Sequence, residues 1–290
     1  MPRVRDFLLN ARSYLQERGI EEPRLDAELL LAHLLGVDRL EFLSHPERPL
    51  DRETEAAYLS LIERRAQGEP ISHILGYREF YGRRFRVTPD VLTPRPETEG
   101  LVDLALETSI APGSRVLDLC AGSGCIGLSL LLERPDLLLD LADLSAPALE
   151  VARANARDLL NDAQASESGS SRPPEFFLGD LYEPLPPDRR YELILGNPPY
   201  IHPDEAPSLA REVREFDPAI ALYREDPPAF YETIASGARE RLTSGGRLLL
   251  ELGPLYAKDI LKKARTYFPG AEIRLDLAGR ERYLVCVAPP

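Results

Sequence analysis

Residues 115–134, RVLDLCAGSGCIGLSLLLER, predict a β-strand, a glycine-rich turn and an α-helix in direct succession. The same alternation of apolar strands with helices continues to residue 287. This pattern indicates an α/β fold with a mostly parallel, doubly wound sheet. The last two strands, AEIRLDL and ERYLVCV, are joined by only three residues, AGR. Because so short a link cannot cross over the sheet, we predict that these two strands are antiparallel.

The chain before this region has a different pattern. Residues 1–74 predict short amphipathic helices, which we expect to pack into a small bundle. Residues 75–95 alternate aromatic and charged side chains around Gly82, which predicts a β-hairpin linker. The α/β domain is then expected to occupy residues 96–290. Within it, the polar tract at 161–175 predicts a surface loop.

Composition and charge restrict the class of protein. At 290 residues with 43% hydrophobic content, the chain can form a sizeable core. Its formal net charge of −13 opposes a long footprint on a phosphate backbone, so we expect no stable nucleic-acid partner. No apolar run reaches membrane-spanning length and no signal-peptide core is visible, so we expect no membrane contact and a cytoplasmic location. The three cysteines and four histidines lack disulfide or metal-ligand spacing, so we predict no metal site.

The glycines of the first turn predict a nucleotide-type ligand. Gly122, Gly124 and Gly127 form a G-x-G-x-x-G pattern between the strand and the helix. Glycines let a ligand approach the backbone, and the start of the helix offers free N–H groups. Asp143 lies at the end of the next predicted strand, where a carboxylate can bind the two hydroxyls of a ribose. The alternative is a simple tight turn.

Two further acidic positions bear on the kind of nucleotide. Asp118 precedes the turn, where it would repel the pyrophosphate of NAD but attract the ammonium group of S-adenosylmethionine. It therefore favours S-adenosylmethionine as the cofactor, although a carboxylate that caps the following helix is the alternative. Asp180 and Leu181 follow the third strand of the α/β region, where Asp180 can accept from the adenine amine and Leu181 can cover the ring. The alternative for this pair is a generic turn.

The segment GNPPY, residues 196–200, follows another buried strand. Two prolines make a stiff, extended loop at a strand's carboxyl end, where ligands bind in open α/β sheets. Asn197 offers a side-chain carbonyl and Pro198 a backbone carbonyl that Pro199 holds rigid, so together they can orient the two hydrogens of an amide NH₂ group. Tyr200 offers an aromatic face to the planar amide. Because positioning beside a sulfonium is sufficient for alkylation, no general base is required. The alternative is a rigid turn that only ends the strand.

Other segments are distinctive when taken together: RLDAELLLAHLLG, GEPISHILGYREFYGRRFRVTPDVLTPRPETE, DLCAGSGCIGLSL, GDLYEPL, NPPYI and DLAGRERYLV. On the basis of these segments, the chain resembles, over almost its whole length, the protein-(glutamine-N5) methyltransferases that modify peptide-chain release factors. The N-P-P-Y motif alone also occurs in adenine-N6 and cytosine-N4 nucleic-acid methyltransferases, whereas the hairpin and LTPRPETE are much more specific.

The resemblance implies a seven-stranded class I S-adenosylmethionine-dependent methyltransferase domain, Rossmann-like in its fold, behind an N-terminal helical domain that recognises the release factor. It implies a glutamine acceptor within a Gly-Gly-Gln loop, and we expect a monomer. By matching motifs, it also implies roles for specific residues. These are Cys120, Ala121, Gly122, Ser123 and Gly124 for the cofactor, Asp143 for its ribose, Leu181 for its adenine, and Asn197, Pro198, Pro199 and Tyr200 for the glutamine amide.

Three departures from the family pattern affect the expected substrate mouth. Asp217-Pro218 stands where the family usually has Glu-Pro, YRED at 223–226 replaces a glycine-rich segment, and Tyr256 replaces a glutamine. Rival functions remain open at this point. They are glutamine methylation of a ribosomal protein, methylation of a nucleic-acid amino group, NAD-dependent oxidation, and a non-catalytic binding module.

Overall fold

The computed structural model describes residues 3–165 and 172–290. The chain forms two compact units. The first comprises the residues up to Tyr77 together with Ala210–Phe216, and the second comprises Arg78–Leu209 and Asp217–Pro290. Every helix in the described ranges is too short or too polar to cross a lipid bilayer.

Helices are distributed over both units. In chain order they are α1 (Val4–Glu17), α2 (Pro23–Leu35), α3 (Arg39–Leu43), α4 (Arg52–Ala66), α5 (Ile71–Leu75), α6 (Glu99–Leu106), α7 (Cys125–Glu133), α8 (Ala146–Ala165), α9 (Arg211–Phe216), α10 (Ala219–Leu222), α11 (Pro227–Arg241) and α12 (Ala257–Ala264).

The strands form a hairpin and one larger sheet. They are β1 (Tyr77–Phe80), β2 (Arg83–Arg86), β3 (Arg115–Leu119), β4 (Leu138–Asp143), β5 (Glu175–Leu178), β6 (Tyr191–Gly196), β7 (Leu242–Glu251), β8 (Glu272–Leu275) and β9 (Glu281–Val287).

The first unit is a helical bundle with its own core. Apolar side chains from α1, α2 and α4, among them Leu15, Leu30 and Tyr58, are fully buried together. The Tyr58 hydroxyl donates to a backbone carbonyl of α2 at 3.0 Å, so its polar end is satisfied inside the core. Arg65 of α4 pairs with Asp26 of α2 at 2.6 Å, and both side chains are buried. The sequence pattern of residues 1–74 thus predicted the helical character of this region correctly.

The second unit is built on a seven-stranded sheet, counted over the described residues, with the order β5-β4-β3-β6-β7-β9-β8. The first five strands in this order are parallel, and β9 is antiparallel to both of its neighbours. One apolar cluster packs α6, α7 and α8 on one face, and a second packs α11 and α12 on the other. This is the predicted doubly wound α/β sheet, and the antiparallel pairing of the last two strands is confirmed.

The hairpin packs into the second unit. Phe80 of β1 and Phe85 of β2 are almost fully buried, meet edge to face at 5.9 Å, and belong to the same apolar cluster as Leu101 of α6. The backbone N–H of Arg86 donates to the side chain of Asn155 on α8 at 2.7 Å. The segment expected as a linker is therefore anchored to the α/β core by two aromatic rings.

The prediction of a surface loop over residues 161–175 is wrong at both ends of that range. Helix α8 continues to Ala165, and β5 already begins at Glu175. Residues 161–165 are alanine, glutamine, asparagine and aspartate, which a helix tolerates once its preceding turns are packed. Residues 166–171, in the middle of the expected loop, lie outside the described residues.

Candidate active site

A cleft lies at the carboxyl ends of β3, β4 and β6, within the second unit. Because Leu119 is in register with both Ala142 and Gly196, these three strands end side by side. We call this opening the main cleft. It is lined by Asp90–Arg95 and Thr98, by Cys120–Ser123, by the start of α7, by Asp143–Ser145 with Ala148, by Asn197 and Pro199, and by Ile220, Ala221 and Arg224.

The turn after β3 has the backbone that its glycines predicted. Gly122 and Gly124 have φ angles of 55° and 77°, in the left-handed region that favours glycine. Cys120 also has a positive φ, 58°, which costs a non-glycine residue energy and marks functional turns. Burial raises the pKa of the Cys120 thiol well above its ordinary value, so at neutral pH it stays protonated and is a poor nucleophile.

Four of the five predicted turn residues line the main cleft: Cys120, Ala121, Gly122 and Ser123. Gly124 lies behind them, at the start of α7. A Cβ at Gly124 would approach side-chain atoms of Leu128 and Leu141 to 3.0 Å. This glycine therefore permits the close packing of helix and sheet, and it does not contact the cleft.

Asp143 lies in the main cleft beside the glycine turn. Its Oδ2 accepts a hydrogen bond from the backbone N–H of Gly122, and its Oδ1 accepts one from the N–H of Ser145, both at 2.8 Å. Burial raises its pKa. Each carboxylate oxygen has more than one acceptor site, so the side chain can still receive hydroxyl donors from a ligand. Asp143 thus ties the ends of β3 and β4 together and presents acceptors to the cleft.

Asp118 does not reach the main cleft. It is fully buried, its Oδ2 accepts from the N–H of Gly127 at 2.8 Å, and burial raises its pKa to about 8. Strand residues alternate between faces, so Asp118 shares the face of Val116, which α7 covers. The expected contact with a ligand ammonium has no support from this position. The alternative, an acceptor for the first turn of α7, matches the hydrogen bond.

Asp180 and Leu181 are near Asp143 along the sheet edge but border a different opening. The N–H of Gly179 donates to the carbonyl of Asp143 at 3.0 Å, which holds the end of β5 beside the end of β4. Asp180 and Leu181 line a second, more open cleft together with residues of α11. A ligand confined to the main cleft would therefore not contact Asp180 or Leu181. Their proposed contacts require the adenine to reach the second cleft.

The segment 196–200 begins with a close approach of two strands. A Cβ at Gly196 would lie 2.2 Å from the carbonyl oxygen of Leu119, so only glycine lets β6 end against β3. This contact brings Asn197 next to the glycine turn, and both Asn197 and Pro199 line the main cleft. Tyr200 points toward the sheet, where its hydroxyl donates to Oε1 of Glu251 at 3.2 Å.

The two oxygens proposed to orient an amide have different surroundings. Among the described residues, the Asn197 side chain makes a single hydrogen bond, from its Nδ2 to Oγ1 of Thr98 at 3.4 Å. Its Oδ1 therefore has no donor within this part of the chain. The Pro198 carbonyl lies 3.4 Å from the Tyr231 hydroxyl, which contacts the Glu251 carbonyl more closely. A hydroxyl has one hydrogen to donate, so Tyr231 need not occupy the Pro198 oxygen. Pro198 itself is buried, however, and is not among the residues that line the main cleft.

Sequence reasoning missed three residues of this site. Thr98 and Glu251 join Asn197 in a hydrogen-bond network. Thr98 lies in LTPRPETE, a segment that the family resemblance includes. Arg224, in the segment that departs from the family, lines the main cleft with its guanidinium 4.1 Å above the ring of Phe230. The buried Nε of Arg224 has no hydrogen-bond partner among the described residues.

Asp217, one of the departures from the family pattern, makes structural contacts in this chain. Its carboxylate accepts from Arg95 at 2.6 Å and from the backbone N–H of Thr93 at 3.5 Å. Thr93 and Arg95 both line the main cleft. The aspartate therefore anchors one wall of the cleft.

The chain is similar to known proteins along almost its whole length. Residues 6–76 match the family model described as PrmC N-terminal domain, and residues 100–214 match the methyltransferase small domain. The release factor glutamine methyltransferase of Leptospira interrogans is 36% identical over 282 residues, which cover 96% of each chain. That of Burkholderia pseudomallei is 44% identical over 263 residues, covering 89% of this chain and 90% of the relative. That of Cereibacter sphaeroides is 40% identical over 289 residues, or 99% of each.

Proposed function

Since this chain belongs to the release factor glutamine methyltransferase family, we propose that it transfers a methyl group from S-adenosylmethionine to the side-chain amide nitrogen of a glutamine in a peptide-chain release factor. The acceptor is the glutamine of the Gly-Gly-Gln loop, and the enzyme acts as a monomer in the cytoplasm. The helical residues 1–74 recognise the release factor, in keeping with the match to the PrmC N-terminal domain.

The main cleft carries the cofactor in this proposal. Asp143 accepts hydrogen bonds from the ribose hydroxyls, and the backbone of Cys120–Ser123 supports the rest of the molecule. Asp180 and Leu181 remain candidates for the adenine. When bound, S-adenosylmethionine supplies an electrophilic methyl group attached to a sulfonium.

The segment Asn197–Tyr200 holds the acceptor amide. An amide nitrogen is a poor nucleophile, because its lone pair is delocalised into the carbonyl. Asn197 Oδ1 and the Pro198 carbonyl accept its two hydrogens and favour a pyramidal nitrogen, which can form a bond to carbon as the carbon–sulfur bond breaks. The nitrogen loses a proton after alkylation, so no residue with a shifted pKa has to act first as a base.

One observation supports this proposal above the others: Asn197, with an open side-chain oxygen, lines the same cleft as the glycine turn and Asp143. An amide acceptor beside a nucleotide-type site fits methyl transfer to an NH₂ group. An amide oxygen at this position has no role in hydride transfer, so the arrangement does not favour NAD-dependent oxidation. A non-catalytic binding module would not need this oxygen either.

The test is a comparison of acceptors. The protein is incubated with radiolabelled S-adenosylmethionine and, in separate reactions, a release factor, the same factor with Gln→Ala in its Gly-Gly-Gln loop, a ribosomal protein and DNA. We expect label in the release factor and none in its Gln→Ala variant. Label in the ribosomal protein alone, or in DNA alone, would replace the proposal with the corresponding rival function.

A further inference from the structure

The Asn197 amide belongs to a four-residue hydrogen-bond network that includes a buried carboxylate. Glu251, at the end of β7, is 2% exposed. Its Oε2 accepts from the Thr98 hydroxyl at 2.6 Å, and its Oε1 accepts from the Tyr200 hydroxyl at 3.2 Å. Thr98 Oγ1 in turn accepts from Asn197 Nδ2 at 3.4 Å. Thr98 therefore lies between the carboxylate and the amide.

The polarity of this network follows from counting hydrogens. A threonine hydroxyl has one hydrogen and two lone pairs, whereas an ionised carboxylate has only lone pairs. The Thr98 hydrogen must point to Glu251, so Thr98 offers Asn197 a lone pair. The only group of Asn197 that can donate to it is the NH₂ group, and Oδ1 then faces the opposite way.

Glu251 has the partners that an ionised carboxylate needs. Burial is the largest influence on its pKa and raises it, as does the charge of Glu97. The hydroxyl hydrogen bonds from Thr98 and Tyr200 and the charge of Arg282 lower the pKa but do not cancel this rise. The network has the stated polarity when Glu251 is ionised, the form in which both of its oxygens accept from hydroxyls.

We propose that Thr98 and Glu251 are positioning residues, which hold the Asn197 amide with its oxygen toward the acceptor and its NH₂ group away from it. This inference rests on the proposed function, because orientation matters only if Oδ1 receives the acceptor's hydrogens. Rotation of the amide by 180° would place its NH₂ group against the NH₂ group of the acceptor glutamine. The two orientations have almost the same shape, so packing alone does not choose between them.

The main test replaces the Thr98 hydroxyl with a methyl group. We expect Thr98→Val to lower kcat for release-factor methylation by between about threefold and tenfold, the range that corresponds to one hydrogen bond. The dissociation constant for S-adenosylmethionine, measured by calorimetry, should stay within about twofold. Thr98→Ser keeps the hydroxyl and should restore kcat.

A matched control separates positioning from folding. Thr108→Val also removes a buried threonine hydroxyl, one that donates to the carbonyl of Leu104 at 3.0 Å just after the end of α6. It should leave kcat unchanged. An equal loss of kcat in Thr98→Val and Thr108→Val, or no rescue by Thr98→Ser, would overturn the proposal.

Glu251 is tested through its coupling to Thr98. Glu251→Gln keeps the shape of the side chain but lets its NH₂ group donate to Thr98, which frees the Thr98 hydrogen to turn toward Asn197. We expect Glu251→Gln to lower kcat, and the double variant with Thr98→Val to lose less than the product of the two single losses. Independent, multiplicative losses would show that Glu251 does not act through Thr98.

A second measurement does not depend on any methyl acceptor. The side-chain NH₂ signal of Asn197 is identified by NMR from its disappearance in Asn197→Asp, and its hydrogen exchange is followed. Exchange should be faster in Thr98→Val than in wild type, because the Nδ2 hydrogen bond is lost. Unchanged exchange overturns the proposed orientation, whereas a wild-type protein that leaves release factors unlabelled overturns the proposed function only.

Discussion

Asn197 is the residue whose position in the main cleft is explained most completely by its neighbours. Gly196 lets the strand before it approach β3, and Thr98 accepts a hydrogen bond from its NH₂ group. The motif N-P-P-Y was recognisable in the sequence because its meaning is local: prolines stiffen the chain wherever they stand. The orientation of the Asn197 amide was not recognisable in the sequence, because Thr98 is 99 residues away along the chain.

We predict that Asn197→Ala binds S-adenosylmethionine but transfers methyl groups between about 10²-fold and 10³-fold more slowly, the loss typical of removing one oriented polar contact to the transition state. Calorimetry measures the first property and single-turnover labelling the second. Asn161→Ala, near the end of α8, is the matched control. Wild-type turnover by Asn197→Ala would contradict the proposed amide contact.

A second prediction concerns Asp143. Asp143→Ala removes the acceptor proposed for the ribose and also the partner of the Gly122 N–H, so we expect the affinity for S-adenosylmethionine to fall at least about tenfold. Glu150→Ala, an exposed substitution on α8, should leave the affinity unchanged. If calorimetry gives the same dissociation constant for Asp143→Ala and wild type, the ribose role is wrong.

The elements around the site are held by backbone contacts that side-chain patterns do not reveal. Periodicity predicted the strands and helices of the α/β region, because each burial pattern is local, and the short link AGR predicted its antiparallel ending. Periodicity placed the end of α8 incorrectly, since the helix continues through residues with no apolar stripe. It also could not show that the predicted hairpin linker packs into the core through Phe80 and Phe85.

At the scale of elements we predict that Gly196→Ala separates the ends of β3 and β6. The new Cβ would lie 2.2 Å from the Leu119 carbonyl oxygen, and neither backbone can yield without breaking the ladder. We expect the free energy of unfolding to fall by about 3 kcal/mol, at the upper end for overpacking, with loss of methyl transfer.

Gly270→Ala is the matched control for this change. A Cβ at Gly270 would meet no heavy atom within 4 Å, and its φ angle is not in the left-handed region. Urea denaturation should show Gly270→Ala within about 0.5 kcal/mol of wild type, as for surface substitutions. Equal midpoints for Gly196→Ala and wild type would show that the strands tolerate a wider spacing.

Over the whole molecule, buried carboxyl groups couple folding to pH. Burial raises the pKa of Asp118 from 3.8 to about 8, and it raises the pKa of Asp143 and Glu251 as well. With a raised pKa, the folded state binds more protons than the unfolded state between the two pKa values. The free energy of unfolding contributed by such a group therefore falls as pH rises through that window.

For Asp118 this window runs from about pH 4 to about pH 8, with a slope of at most about 1.4 kcal/mol per pH unit. We predict that urea denaturation of the ligand-free protein gives a lower free energy of unfolding at pH 8 than at pH 5.5. Asp118→Asn, which keeps an oxygen to accept from the Gly127 N–H, should reduce this difference. Asp158→Asn, at an exposed position on α8, should preserve it. Identical pH dependence in Asp118→Asn and wild type would contradict the prediction.

The sequence by itself determined the fold class, the order of elements, the glycine turn and the stiff loop at 197–200, because each depends on residues close together in the chain. The family, which the relatives confirm, was evident from such segments taken together. Only the tertiary structure decided which side chains face the main cleft. Strand alternation places Asp118 on the face of the sheet that α7 covers, and Thr98 forms a hydrogen bond with Glu251 although 153 residues separate them in the chain. Contacts of that kind depend on how the sheet is ordered and twisted, and no local pattern of residues specifies them.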